Sequence, residues 1–170
     1  MGLFSFIKDA GEKLFGHKEA QAATIELQQK PNDPVTQEKV NQLNRQAADA
    51  IKSYIEKQNL SADDLNVNFD GATGTVSVFG RAPDQGTKEK IVLCCGNVAG
   101  VSAVNDQMGV TSPEPEATFH TVVSGDTLSK IAKTVYGDAM KYPVIFEANK
   151  PMLSHPDKIY PGQVLRIPPA

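Results

Sequence analysis

The chain has 170 residues, of which 40% are hydrophobic and 22% are charged, and its formal net charge is −3. This length and composition predict a folded chain with room for two small domains. Acidic and basic residues are mixed along the sequence, so no field of one sign gathers nucleic acid. We therefore expect no nucleic-acid binding. Since no apolar run approaches 18 residues, we also expect no membrane span.

The opening stretch, MGLFSFIKDAGEKLFG, lacks the features of a signal peptide. No basic residue precedes its apolar run, and no small-residue cleavage site follows it, so a cytoplasmic location is expected. Its apolar positions recur at helical spacing and predict a short amphipathic helix that docks onto the protein itself. These positions are Leu3, Ile7, Ala10 and Leu14. Gly11 and Gly16 are expected to loosen the helix and leave carbonyls of residues 9–15 free.

The next elements follow from hydrophobic periodicity. Residues 17–33 are polar and alanine-rich, which predicts a partly helical insert. Apolar residues at steps of three and four predict a longer helix over residues 36–58. Two alternating runs on either side of the turn DGATG predict a β-hairpin over residues 66–79, and residues 101–107 predict a further strand.

A helix is predicted to end within TKEKIVLCCGNVAGVSAV, residues 87–104. Its buried positions are Ile91, Cys94, Cys95 and Val98. Gly96 and Gly100 bracket the expected end, and a positive φ is expected at Gly96. Carbonyls at the negative end of a helix can attract a cation, while an ordinary glycine cap is the alternative. The adjacent cysteines are interpreted as reduced core thiols rather than a strained vicinal disulfide.

The order helix, strand, strand, helix, strand, with GTVSVFG on the second strand and GVSAVND on the last, resembles the BON domain over residues 35–110. That module occurs in osmotic-stress and membrane-associated proteins. The following stretch, TSPEPEAT (residues 111–118), is rich in proline and glutamate and predicts a linker.

After the linker, the pattern predicts a strand, two helices and a strand. Asp126 or Thr127 is expected to cap the first helix, which ends at Gly137. The helix is expected to bury Leu128, Ile131, Ala132 and Val135. The phrases VVSGDTLSKIA, FEANK and IYPGQVLRIP resemble the LysM domain. The resulting prediction is an α+β protein with a BON domain (α-β-β-α-β) in residues 1–110, including the N-terminal segment and the insert, and a LysM domain (β-α-α-β) in residues 119–170.

The combination of the opening segment with both domains resembles a family of bacterial potassium-binding proteins with BON and LysM domains. The resemblance implies a cytoplasmic sensor that binds potassium ion and changes conformation, together with an unidentified protein partner. Backbone carbonyls suit K⁺, because it needs many neutral oxygens. The ligands implied by the resemblance are the carbonyls of Ile7, Ala10, Glu12, Phe15, Gly96 and Val98. The insert near residues 20–34 is longer than the family pattern.

Two other functions stay open. LysM domains bind N-acetylglucosamine glycans, and the resemblance implies a groove formed by Gly125, Asp126, Thr127, Leu128, Asn149, Ile159 and Tyr160. A structural adaptor would need neither ion nor glycan. No enzyme is predicted, because Ser124 lacks the G-x-S-x-G elbow and the histidines, at positions 17, 120 and 155, lack metal-ligand spacing.

Overall fold

The computed structural model describes residues 2–170. A four-stranded sheet packed against helices is followed by a two-stranded sheet with two short helices. This confirms the predicted α+β class and the two predicted element orders. The elements are β1 (Gly2–Ser5), α1 (His17–Gln29), α2 (Pro34–Lys57), β2 (Asp63–Asp70), β3 (Thr75–Asp84), α3 (Gln85–Gly96), β4 (Ala103–Ser112), β5 (Thr118–Thr121), α4 (Leu128–Tyr136), a 3₁₀ turn (Ala139–Lys141), α5 (Tyr142–Ala148) and β6 (Val164–Ile167).

The larger sheet has the order β1-β4-β3-β2. Its two central strands are parallel and are connected by α3, while the outer pairs are antiparallel. Val76 of β3 lies beside Val104 of β4, and both side chains are fully buried. The sheet face that carries these valines therefore packs against the helices.

Helix α2 matches the predicted long helix. Asp33 caps it by accepting a hydrogen bond from the Thr36 N–H, and Pro34 occupies the first turn, where its missing N–H costs nothing. Ile51 and Ile55, one turn apart, are fully buried. The polar insert forms α1, which confirms its helical character.

Helix α3 is buried from Ile91 to Gly96. Cys94 and Cys95 are free thiols, as expected, and burial raises the pKa of Cys94 to about 12. The positive φ expected at Gly96 is wrong, because Gly96 is the last helical residue. Glycine is required there for space, since a Cβ would lie 2.0 Å from Cζ of Phe6.

The predicted N-terminal amphipathic helix is wrong. Gly2–Ser5 forms β1, which completes the hydrogen bonding of β4 at the edge of the sheet. Phe6 is buried in the main core, whereas Leu3 and Ile7 are 69% and 52% exposed. Pairing with β1 satisfies edge N–H and C=O groups of β4 that a helix in this place would leave unpaired. Tertiary contacts therefore override the helical spacing of the opening segment.

In the second domain, the Thr127 side chain caps α4 by accepting a hydrogen bond from Lys130 N, and Gly137 ends the helix with a φ of 75°. The expectation that Val135 is buried is wrong, because this residue is 47% exposed. Strand β4 continues to Ser112 and β5 begins at Thr118. The division of the chain at residues 110 and 119 stays a prediction. Within residues 2–170, no helix is long and apolar enough to cross a membrane.

Candidate functional site

The N-terminal segment runs along the end of α3 and the loop that follows it. The Phe6 N–H donates to the Ser102 carbonyl at 2.9 Å, and the Gly100 N–H donates to the Lys8 carbonyl at 2.6 Å. A φ of 101° at Gly100 allows the loop to turn toward this segment. The two stretches that the sequence predicts to carry free carbonyls are thus in direct contact.

An isolated parallel β-bridge connects Glu12 with Val98. The Glu12 N–H donates to the Asn97 carbonyl at 2.9 Å, and the Ala99 N–H donates to the Glu12 carbonyl at 2.8 Å. Gly11 makes this approach feasible, because its φ is 104° and a Cβ would lie 2.3 Å from the Asn97 oxygen. The bridge holds residues 11–12 against the last turn of α3.

Two of the six carbonyls implied as ligands, those of Ala10 and Gly96, accept no hydrogen bond from any residue in the described chain. The other four accept one each, which leaves each oxygen a second lone pair. Their donors are Ala10 N for Ile7 (3.1 Å), Ala99 N for Glu12 (2.8 Å), His17 N for Phe15 (3.0 Å) and Val101 N for Val98 (3.1 Å).

The end of α3 is electrostatically suited to a cation, because the macrodipole places partial negative charge on its last carbonyls. Phe15 stands further along the chain, just before α1, and its ring packs edge-on against Phe69 at 5.0 Å between centroids. Across residues 2–170, no group of three or more His, Cys, Asp or Glu side chains is arranged to hold a metal. The oxygens that the end of α3 offers to a ligand are therefore those of its backbone.

The second domain packs against both the N-terminal segment and the end of α3. A Cβ on Gly162 would lie 2.7 Å from Cβ of Ala10 and 3.3 Å from Cβ of Ile7. The Asn97 side-chain amide donates to the Val164 carbonyl at 2.8 Å and accepts from the Val164 N–H at 2.9 Å. The site is therefore built from the N-terminal segment and the end of α3, with a turn of the second domain packed against them.

A cavity of about 230 Å³ lies beside this junction, lined by Glu12 and Asn97 and by Tyr54 and Tyr160. Burial, with the charge of Glu12 as a smaller cause, raises the pKa of Tyr160 to about 12. Burial also raises the pKa of Tyr54. Both phenols are therefore neutral hydrogen-bonding groups at physiological pH.

Two of the seven residues expected to form a glycan groove are buried in the fold itself. Leu128 and Asn149 are 2% and 3% exposed. The Asn149 amide donates to the carbonyls of Ile145 and Arg166 and accepts from the Arg166 N–H. The remaining groove residues are placed at the surface or are partly buried, and Tyr160 lines the cavity with Glu12. These residues are Gly125, Asp126, Thr127, Ile159 and Tyr160.

Sequence reasoning missed two contributors to the candidate site, the Asn97 side chain and the close approach of Gly162. It singled out Gly11 as loosening a helix, whereas Gly11 turns the backbone toward Asn97. Gly11 carried a signal, because a glycine inside an apparent helix marks a backbone turn. The pairing of Asn97 with Val164 joins positions 67 residues apart and leaves no local pattern.

Comparison with known proteins agrees with the two-domain architecture. The BON domain family matches residues 44–112, and the LysM domain family matches residues 120–168. The chain is 45% identical over 171 residues to the potassium binding protein Kbp of Escherichia coli O6:H1, and the match covers 99% of both chains. The chain belongs to the Kbp family. Membership in the Kbp family confirms the resemblance drawn from the opening segment and the two domains.

Two further relatives match only part of this chain. An uncharacterized protein of Deinococcus radiodurans is 55% identical over 51 residues, which is 30% of this chain and 19% of that protein. An esterase of Mycobacterium tuberculosis is 39% identical over 77 residues, which is 45% of this chain and 16% of the esterase. Most of each of these proteins has no counterpart here.

Proposed function

We propose that this protein binds potassium ion through backbone carbonyls where the N-terminal segment meets the end of α3. The observation that carries the proposal is the pair of carbonyls at Ala10 and Gly96, which accept no hydrogen bond in the described chain. They lie on two segments that the Glu12–Val98 bridge holds together. The name of the Escherichia coli relative, potassium binding protein, supports the choice of ion.

The proposed ligand set is the carbonyls of Ile7, Ala10, Glu12, Phe15, Gly96 and Val98. Neutral oxygens favour a large monovalent cation, since clustered carboxylates would instead favour magnesium or calcium. The four carbonyls that already accept one hydrogen bond retain a lone pair for the ion. The Phe15 carbonyl belongs to the turn that leads into α1, where it accepts from the His17 N–H.

We also propose that ion binding changes the conformation of the protein. The ligands lie on separate segments, and Gly162 of the second domain packs against one of them. A ligand that binds one arrangement of these segments more tightly shifts the population toward that arrangement. The protein would then report potassium concentration as a cytoplasmic sensor during osmotic stress, without catalysing a reaction.

The test is thermal unfolding in potassium chloride and in sodium chloride at matched ionic strength, with rubidium and caesium as further arms. Binding to the folded state alone adds about 2.7 kcal/mol to the free energy of unfolding at an ion concentration 100 times Kd. For a chain of this size, each kcal/mol raises the midpoint by about 2–4 °C. Equal midpoints in potassium and sodium would contradict the proposal and favour the structural adaptor.

A second candidate is glycan binding by the LysM domain, which the family match over residues 120–168 favours. The exposed loop at Gly125 offers space, since among the described residues only its own chain neighbours could lie within 4 Å of a Cβ placed there. We rank this function lower because the Asn149 amide is buried and already bonded. Calorimetry with N-acetylglucosamine oligomers is expected to give weak or no binding, and tight binding would reverse the ranking.

A further inference from the structure

Helix α3 holds the second domain at two points on one of its faces. Asn97, at the end of the helix, contacts Val164 of β6. Glu89, about two helical turns earlier, accepts a hydrogen bond from Nε of Arg166 at 2.6 Å, and Arg166 is also on β6. The two contacts are thus separated by about 12 Å along the helix, and only the Asn97 contact lies at the proposed ion site.

The Asn97 contact is a closed pair of hydrogen bonds. One side-chain amide satisfies both the N–H and the carbonyl of Val164, at 2.9 Å and 2.8 Å. On its other side, Val164 pairs with Thr121 of β5. The Val164 side chain is 4% exposed and belongs to the core of the first domain, so water does not replace these bonds readily.

The backbone of Asn97 forms part of the proposed ion site. Its N–H donates to the Leu93 carbonyl and its carbonyl accepts from Glu12, so both peptide units around it are fixed. The peptide before it carries the Gly96 carbonyl, which accepts no hydrogen bond from the residues described. The orientation of Asn97 therefore sets the direction in which the Gly96 oxygen points.

We infer that Asn97 is the positioning residue of the ion site, and that its amide couples the docking of the LysM domain to the orientation of the Gly96 carbonyl. This inference rests on the proposed potassium binding. The Val164 contact with the Asn97 side chain adds a third restraint to the two backbone hydrogen bonds, so the Gly96 oxygen keeps one orientation before the ion arrives. Selectivity among cations of one charge depends on the number and placement of such oxygens. Loss of the amide should therefore weaken potassium binding more than sodium binding.

The test compares Asn97→Ala with the matched control Glu89→Gln in the full-length protein. Both variants weaken contacts between α3 and β6, but only the first acts at the ion site. We expect Asn97→Ala to lower potassium affinity at least tenfold and to reduce the ratio of potassium to sodium affinity. We expect Glu89→Gln to lower potassium affinity less than threefold and to preserve that ratio. A merely structural role for Asn97 would leave the ratio unchanged.

Each result decides the inference. Wild-type affinity and selectivity in Asn97→Ala would overturn it while the proposed function stands, and so would equal losses in the two variants. A wild-type protein that does not respond to potassium would overturn both proposals. If Asn97→Ala does not fold in sodium, the fallback measurement is hydrogen exchange of the Val164 amide in the wild-type protein, with and without potassium. Potassium should then slow exchange at this amide at least tenfold more than at the Ile131 amide in the core of the second domain, and equal slowing at both amides would refute the coupling.

Discussion

The end of α3 and the loops of the LysM domain offer two contrasting candidate sites. At the end of α3, the carbonyls of Ala10 and Gly96 accept no hydrogen bond within the described chain. In the LysM loops, the Gly125 carbonyl accepts from Nζ of Lys130, and the Thr127 hydroxyl accepts from the Lys130 N–H. The Asn149 amide makes three hydrogen bonds within its own domain.

This difference separates a site with unused acceptors from one whose polar groups maintain the fold. An unpaired backbone carbonyl at a buried helix end is costly unless a ligand or water satisfies it. A ligand that supplies the missing partner therefore gains the interaction without breaking an existing one. A glycan in the LysM groove would instead compete for groups that cap α4 and anchor β6.

Removal of the N-terminal segment should produce the largest effect, because it removes one candidate site and leaves the other intact. We expect deletion of residues 1–16 to abolish potassium binding, because four of the six proposed ligands are lost. The deletion also removes Phe6, which is 8% exposed in the main core, so the first domain should lose stability. The LysM domain should remain folded, since none of its own core residues is removed. Potassium titration by calorimetry and NMR spectra of the LysM signals would measure both effects.

Phe6→Ala is the control for this deletion, because it keeps every backbone ligand. It should cost about 3–5 kcal/mol of stability, as for other large-to-small core substitutions, while retaining measurable potassium binding. Unchanged potassium affinity after the deletion would place the ion site elsewhere in the chain.

One glycine substitution at each of the two candidate sites should have effects of intermediate size on stability and potassium affinity. A Cβ on Gly96 would lie 2.0 Å from Cζ of Phe6, so Gly96→Ala must displace the ring or the helix end. We expect destabilisation of about 1–3 kcal/mol from overpacking, together with at least tenfold weaker potassium binding. Gly125→Ala meets open space but has a φ of 89°, so it should cost about 1–2 kcal/mol and leave potassium affinity unchanged.

A double substitution tests the physical cause. If the clash with the ring weakens binding, Phe6→Ala should offset part of the effect of Gly96→Ala on potassium affinity. Strictly additive effects on affinity would show that the ring does not transmit the disturbance. The measurements are potassium titrations of the two single variants and the double variant.

Most of the fold, but less of the site, could be predicted from the sequence. Helix α2 and the hairpin of β2 and β3 follow from periods of 3.6 and 2, because one face of each element is buried. The opening segment misled the prediction because its apolar residues also fit a helix. Its structure depends on the edge of β4, which lies about 100 positions away in the sequence.

The candidate site could be proposed from the sequence only as two separate stretches of backbone, and the structure brings these stretches into contact. Gly96 and Gly100 correctly mark the end of α3, but the reason for Gly96 is the ring of Phe6 rather than a positive φ. Carbonyl ligands leave no side-chain pattern, so their assignment came from the family resemblance. The contact between Asn97 and Val164 depends on how the two domains pack, which no local periodicity encodes.

A smaller effect is expected from the LysM loop. The hydrogen bond with His120, assisted by the Val123 N–H, lowers the pKa of Asp126. A carboxyl whose pKa is lowered by folding contributes stability above its ordinary value near 4, and this is lost as pH falls through the lowered pKa. Asp126→Asn should therefore lower the melting temperature at pH 7, and the difference from the wild type should vanish at strongly acidic pH.

The control for this prediction is Asp157→Asn, since the Asp157 side chain is 89% exposed. It should leave the melting temperature nearly unchanged at both pH values. A difference between Asp126→Asn and the wild type that persists undiminished at strongly acidic pH, where the carboxyl is protonated, would mean that the charge of Asp126 is not the cause. Potassium affinity at pH 7 should be the same in both variants, because neither residue is a proposed ligand.

Glu12→Gln should have the smallest effect and separates a backbone site from a carboxylate site. The proposed ligand is the Glu12 carbonyl, which the substitution preserves together with the bridge to Val98. The side chain is exposed, and a unit charge about 6 Å from a cation in water contributes only about 0.7 kcal/mol, which is roughly threefold in affinity. We therefore expect calorimetry to give a potassium affinity within about threefold of the wild type at low salt. Agreement should be closer at high salt, where screening removes the remaining attraction.

Glu19→Gln, on an exposed residue of α1, controls for the loss of one negative charge. A loss beyond tenfold in Glu12→Gln alone would identify the carboxylate as a direct ligand, and the contrast between the two sites would then rest on a side chain rather than on unused backbone oxygens.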